Sequence, residues 1–113
     1  MPLLQDRSLL EAFRAGRAQA LDRVYRHYLP AVVRLLRRGF TCMSRGMPIA
    51  VKGLQAPFEL DNAVQEVFSR AFDPRTRMAY DGLRPYGDFL FGIARHVVLT
   101  ELRRRRREQP LAE

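Results

Sequence analysis

One cysteine, Cys42, is all the chain has, so no disulfide can close within it, and a lone thiol suits a reducing cytoplasm. Histidine is nearly as scarce. His27 and His96 stand far from each other and from Cys42, so no metal-ligand spacing appears and no cofactor is expected. No nucleophile stands beside a base in a recognisable pattern, and no glycine-rich phosphate loop follows a strand, so an enzyme is not expected. No apolar run approaches the ~18 residues of a membrane span. The opening Met1-Pro2-Leu3-Leu4-Gln5-Asp6 has no basic stretch leading into an apolar one, so a signal peptide is not expected. Lysine is almost missing too: of 20 basic residues only Lys52 is one.

What is present is arginine. With 12 acids against those 20 bases, the 113-residue chain carries a net charge of +8 and a pI near 10.9. The planar guanidinium suits phosphate and stacks on bases, so a polyanion, most simply nucleic acid, is the expected partner. An anionic membrane surface is the weaker alternative. An apolar content of 47% fits one folded domain with one core.

The charge is unevenly laid out. Residues 1–58 sum to +7 and residues 74–112 to +5, while residues 59–73 sum to −3. That acidic island is also a helix by its pattern. Leu60, Val64, Val67, Phe68, Ala71 and Phe72 recur at spacings of three and four, and Asp73-Pro74 stops the run. Asp61, Asn62, Gln65, Glu66 and Ser69 share the opposite face. Such a face is either plain solvated surface or a docking surface for a basic partner.

The remaining elements follow in order. Ser8 and Glu11 read as a capping box opening a short helix that ends near Gly16. A longer helix runs from about Arg17 to Arg38 with the stripe Leu21, Val24, Tyr25, Tyr28, Val32, Leu35 and Leu36, and Pro30 predicts a kink within it. From Gly39 to Pro57 the periodicity breaks, and only Ile49 to Lys52 suggests an extended piece. From Pro74 to Gly87 a loop interleaves Arg75, Arg77 and Arg84 with Tyr80 and Tyr86. The last helix starts between Pro85 and Asp88, buries Phe89, Leu90, Ile93, Ala94 and Val97, and runs into Arg103 to Arg107. Arg95, His96, Thr100, Arg103, Arg104 and Arg107 share its polar face. The expected fold is therefore all-α. It is a bundle of about four helices over residues 1–108 with a loop excursion at 39–57, and residues 109–113 begin a linker or tail.

Three blocks of this chain resemble bacterial sigma factors of the extracytoplasmic-function group. Asn62 to Phe72 (NAVQEVFSRAF) is similar to their polymerase-docking helix. Asp88 to His96 (DFLFGIARH), followed by Glu101 to Arg106 (ELRRRR), is similar to their promoter-reading helix. Asp6 to Leu36, with Tyr25 to Pro30, is similar to their opening helix pair. The blocks stand in the family's order and cover most of the chain outside 39–57.

The resemblance implies the helical domain 2 of such a factor. Asn62, Gln65 and Glu66, with Asp61 and Ser69 at the margin, would then dock on the coiled coil of the largest subunit of core RNA polymerase. Arg75, Arg77, Tyr80, Arg84, Tyr86, Arg95, His96 and Arg103 would capture the non-template strand of the promoter's minus-ten element. Arg104 and Arg107, with the rest of the arginine run, would hold phosphates. An anti-sigma factor is a further implied partner. Three features depart from the family's pattern: Asn62 for Asp, His96 for Asn, and a longer connection at 39–57. The family's helix-turn-helix domain that reads the minus-35 element is not within residues 1–113, so either a fragment or a single-domain relative is expected, and the linker-like Gln109 to Glu113 favours the fragment. Tyr80 and Tyr86 are open between core edge and base contact, and Phe89 reads as core. The competing function is a protein-interaction module that binds polymerase or an anti-sigma factor without reading DNA.

Overall fold

The computed structural model describes residues 3–108, except the side chains of Ser44, Arg106, Arg107 and Glu108. After a 3-10 turn at Leu3–Gln5 the elements are α1 (Arg7–Arg14), α2 (Ala18–Arg38), β1 (Gly39–Ser44), β2 (Met47–Lys52), α3 (Pro57–Ala71), α4 (Pro74–Ala79) and α5 (Tyr86–Glu108). The fold is mostly helical, with one two-stranded sheet among the described residues.

The cap of α1 differs from the expected box. Asp6, two residues earlier than Ser8, accepts the Leu9 amide at 3.2 Å. Ser8 lies in the first turn, and Glu11 faces Arg7 at 3.6 Å instead of reaching back to an amide. A carboxylate at the positive helix end satisfies the same open amides as a serine would. In α2, Ala20, Val24, Tyr28, Val32 and Leu36 are buried at four-residue intervals. The helix runs through Pro30 as one element. That residue is exposed, where the carbonyl left unbonded can reach water.

The stretch 39–57, expected as a loop, holds a β-hairpin, so the all-α expectation is corrected. Phe40 pairs with Val51, Cys42 with Ile49 and Ser44 with Met47 in antiparallel register. Arg45 and Gly46 link the strands with φ of 52° and 77°, the succession of positive φ that a two-residue hairpin turn needs. Glycines clamp its root. A Cβ on Gly53 would lie 1.7 Å from the Arg37 carbonyl oxygen, and one on Gly39 would lie 2.1 Å from that of Val51. The Leu54 amide donates to the Leu36 carbonyl at 2.8 Å, and Gln55 Nε2 donates to the Arg37 carbonyl at 2.8 Å.

Helix α3 opens on Pro57 in its first turn and buries Leu60, Val64, Val67, Phe68 and Ala71, as its spacing predicts. Asp73 then caps α4, accepting the Arg75 amide at 3.1 Å. The expected loop from Pro74 to Gly87 therefore begins as a short helix. Helix α5 buries Leu90, Ala94, Val97 and Val98 against its neighbours. Glu59 at the start of α3 meets Arg105 near the end of α5 at 3.0 Å, so these two packed helices run antiparallel.

The first residue of α5, Tyr86, is a centre of the core. Its ring lies 5.3 Å from Phe13, 5.3 Å from Tyr28 and 5.0 Å from Tyr80, the edge-on geometry that favours aromatic contacts. Burial raises the phenol pKa of Tyr28, Tyr80 and Tyr86 and keeps all three neutral, the effect being largest at Tyr86. The hydroxyls differ in one respect. Tyr80 donates to the Arg84 carbonyl at 2.5 Å, whereas the buried Tyr86 oxygen has no partner. Tyr80→Phe is therefore expected to cost about 1 kcal/mol, and Tyr86→Phe to be neutral or stabilise by up to about 1 kcal/mol. Urea unfolding midpoints at unchanged slope check the pair, and equal losses at both sites would contradict the assignment.

Candidate functional site

Two surfaces emerge from this packing. The first is the outer face of α3. Asp61, Asn62, Gln65, Glu66 and Ser69 are all exposed there, because the helix buries the complementary stripe. Glu66 accepts from Arg70 Nε at 2.7 Å, one turn along the same helix. Asp61 has no ion-pair partner among the described residues. Between α3 and α5 runs a groove of about 570 Å³, with Phe58, Asn62 and Glu66 on one wall and Leu102, Arg104 and Arg105 on the other. Phe58 is 77% exposed at its mouth.

The second surface is a hollow of about 380 Å³ where the 80–86 turn meets α5, lined in part by Arg70, Arg84, Phe89, Ile93 and His96. The Arg84 guanidinium sits 5.0 Å above the Phe89 ring, a cation–π contact. Arg84 is aimed by its own turn. The Asp81 carboxylate accepts the Leu83 amide at 2.8 Å and the Arg84 amide at 3.3 Å. Those bonds, the Leu83 one foremost, hold its carboxyl below the usual carboxylate range. The structure thus brings Arg84 and His96 together, with the half-buried Phe89 as floor.

Arg77, and the two tyrosines left open between core edge and base contact, do not face solvent as base contact requires. Tyr80 and Tyr86 are each 2% exposed. The core takes both rings because they complete the aromatic cluster, and Tyr80 serves the hollow only by tying down the Arg84 backbone. Arg77 is also turned inward. Its guanidinium donates to the Phe72 carbonyl and, at 3.5 Å, to that of Arg14, while Arg14 Nη2 donates to the Met78 carbonyl at 3.2 Å. These crossed bonds fasten α4 to the end of α1, so Arg77 satisfies helix-end carbonyls.

The other cations divide. Arg75 and Arg103 are exposed and Arg95 is half-buried. His96 and Arg103 are seven residues apart and hence on one face of α5, about 10 Å along it. Arg104 is held by Glu101 at 2.6 Å, and Arg105 bridges Glu101 and Glu59. Arg104, followed by Arg105, keeps the Glu101 carboxyl below its ordinary range. The Arg107 side chain lies outside the described residues.

The residue that sequence reasoning missed is Arg70. As the only base in residues 59–73 it reads as a minor correction to an acidic helix. In the structure it lines both the groove and the hollow, so the two surfaces adjoin through its side chain. Its i+4 spacing from Glu66 was the available signal. Among the described residues no three His, Cys, Asp or Glu side chains gather to hold a metal ion, and no helix is long and apolar enough to cross a membrane. Comparison of the chain with protein-family models, with curated proteins and with solved structures finds no match.

Proposed function

We propose that this chain is domain 2 of an extracytoplasmic-function sigma factor. In this reading it grips core RNA polymerase with the outer face of α3 and holds the opened non-template strand of a minus-ten element in the hollow beside α5. The observation that carries the reading is adjacency: an exposed carboxylate-and-amide face and an arginine–aromatic hollow share Arg70. The order of the three sequence blocks supports it as well.

Magnitudes decide what such a domain does unaided. Flipping a base out of a duplex costs a few kcal/mol, and stacking one on a ring returns about 1–3 kcal/mol. With Tyr80 and Tyr86 in the core, stacking falls to Phe89 and the Arg84 plane. The domain therefore captures a strand already open and relies on polymerase to make opening favourable.

Strand capture is tested by fluorescence anisotropy of a single-stranded oligonucleotide. Arg84→Glu and His96→Ala are expected to weaken binding with the fold intact by circular dichroism. Phosphate contacts by Arg75, Arg84, Arg95 and Arg103 predict a log–log salt slope of about −2.8, at ~0.7 per contact. A second reading, a module that binds polymerase or an anti-sigma factor without reading DNA, draws on the burial of the two tyrosines. It predicts the same affinity in both variants and no salt dependence.

A further inference from the structure

The hairpin β1–β2 is built firmly at its root and is apolar at its tip. Gly39 and Gly53 stand where any Cβ would meet backbone, and Phe40, Val51 and Cys42 pack on the core. The outer part carries Met43, Met47 and Ile49, exposed by 67%, 65% and 43%. In the register of the pair, Met47 and Ile49 occupy one face and Met43, opposite Pro48, the other. The tip is therefore apolar on both sides.

Along the hairpin's own stretch of chain the charge has one sign. From Arg37 to Phe58 the chain carries Arg37, Arg38, Arg45 and Lys52 and no acid. All four are exposed and without an ion-pair partner among the described residues. At the end of the bundle where α5 meets the start of α3, the exposed Arg103 adds a cation, while Glu59 and Glu101 are held by Arg105 and Arg104. Leu54, just past the hairpin, lines one groove with Arg104 and Arg105.

We propose that this hairpin is an arm for double-stranded DNA, separate from the hollow that takes an open strand. A two-stranded ribbon fits a duplex groove, and small apolar side chains such as Met, Ile and Pro wedge against base steps from within it. The apolar tip meets base edges on the groove floor, and the anionic walls are left to the cations of the turn and root. Arg45 at the turn and Lys52, Arg37 and Arg38 at the root meet the phosphates. Each six-residue strand reaches about 20 Å, enough to place Arg45 and the root cations on different phosphates.

The test uses the whole chain and a short blunt duplex, read by anisotropy across a salt series. Arg45→Glu combined with Lys52→Glu removes two phosphate contacts. It is expected to lower duplex affinity about 60-fold near 0.1 M salt and to flatten the salt slope by about 1.8. Met43→Ser combined with Met47→Ser is expected to lower affinity about tenfold with the slope kept. Circular dichroism confirms the fold of each. Unchanged duplex binding in both double variants overturns the proposal. It is also overturned if both lose binding to phosphatidylglycerol vesicles, or to core polymerase, while duplex binding stands. The arm is independent of the hollow: a chain that binds duplex through the hairpin but no single strand refutes the strand-capture reading and leaves the arm in place.

Discussion

Tyr86→Ala is expected to destabilise the fold by about 3–5 kcal/mol, the range for removing a fully buried aromatic ring. Domains of this size hold only about 5–15 kcal/mol in all, so a large part of the stability would go. The reason lies in the ring's position. It touches Phe13 of α1, Tyr28 of α2, Tyr80 of the 80–86 turn and Phe89 of its own helix. Its removal leaves a cavity facing several elements at once. Denaturant unfolding measures the effect, and a loss below about 1 kcal/mol would mean that the cluster does not organise the core. This changes how DNA-binding variants are read. An alanine at Tyr80 or Tyr86 would lower strand binding by loosening the fold, so only exposed positions such as Arg84 and His96 report on the hollow.

The second large effect is expected at the outer face of α3. Glu66→Arg should weaken binding to core RNA polymerase by at least about 30-fold, because a buried interfacial charge that loses its partner typically costs 2 kcal/mol or more. Part of any change could arise within the chain, since Glu66 already holds Arg70 at 2.7 Å. Reversing Glu66 places like charges four residues apart on one helix, a penalty of only a few tenths of a kcal/mol. Asp61→Arg supplies the control, for Asp61 has no such internal partner among the described residues. Both variants should lose polymerase in a pull-down while unfolding at nearly the wild-type midpoint. Normal capture by both would remove the docking assignment.

Much of the helical framework was legible in the residues because burial leaves a period. The stripe Leu60, Val64, Val67, Phe68 and Ala71 is the buried face of α3 as observed, and the polar face follows as its complement. In α2 the expected stripe is buried at Val24, Tyr28, Val32 and Leu36, while Leu21 and Leu35 are half-buried and Tyr25 is exposed. Of the hairpin, only the extended piece Ile49 to Lys52, which lies within β2, was legible, for two reasons. Its turn is Arg45-Gly46 rather than the Asn-Gly that usually marks such turns. Its outer residues are apolar on both faces, so the alternation that identifies a half-buried strand is absent.

The loop residues failed differently. Spacing in an irregular segment does not tell which way a side chain points. Tyr86 went to the core because ring contacts with Phe13 and Tyr28 were within reach, Tyr80 because Tyr86 and Phe89 were, and Arg77 went to carbonyls left open by helix ends. What the loop retains for a ligand is Arg84, exposed and fixed by Asp81 and Tyr80.

The most direct measurement sets the two faces against each other in one assay: capture of core RNA polymerase, and anisotropy of a single-stranded oligonucleotide, for the unaltered chain, Glu66→Arg and Arg84→Glu. Glu66→Arg is expected to lose polymerase and keep the strand, while Arg84→Glu is expected to keep polymerase and lose the strand. Retention of both ligands by both variants would contradict that assignment of the two faces.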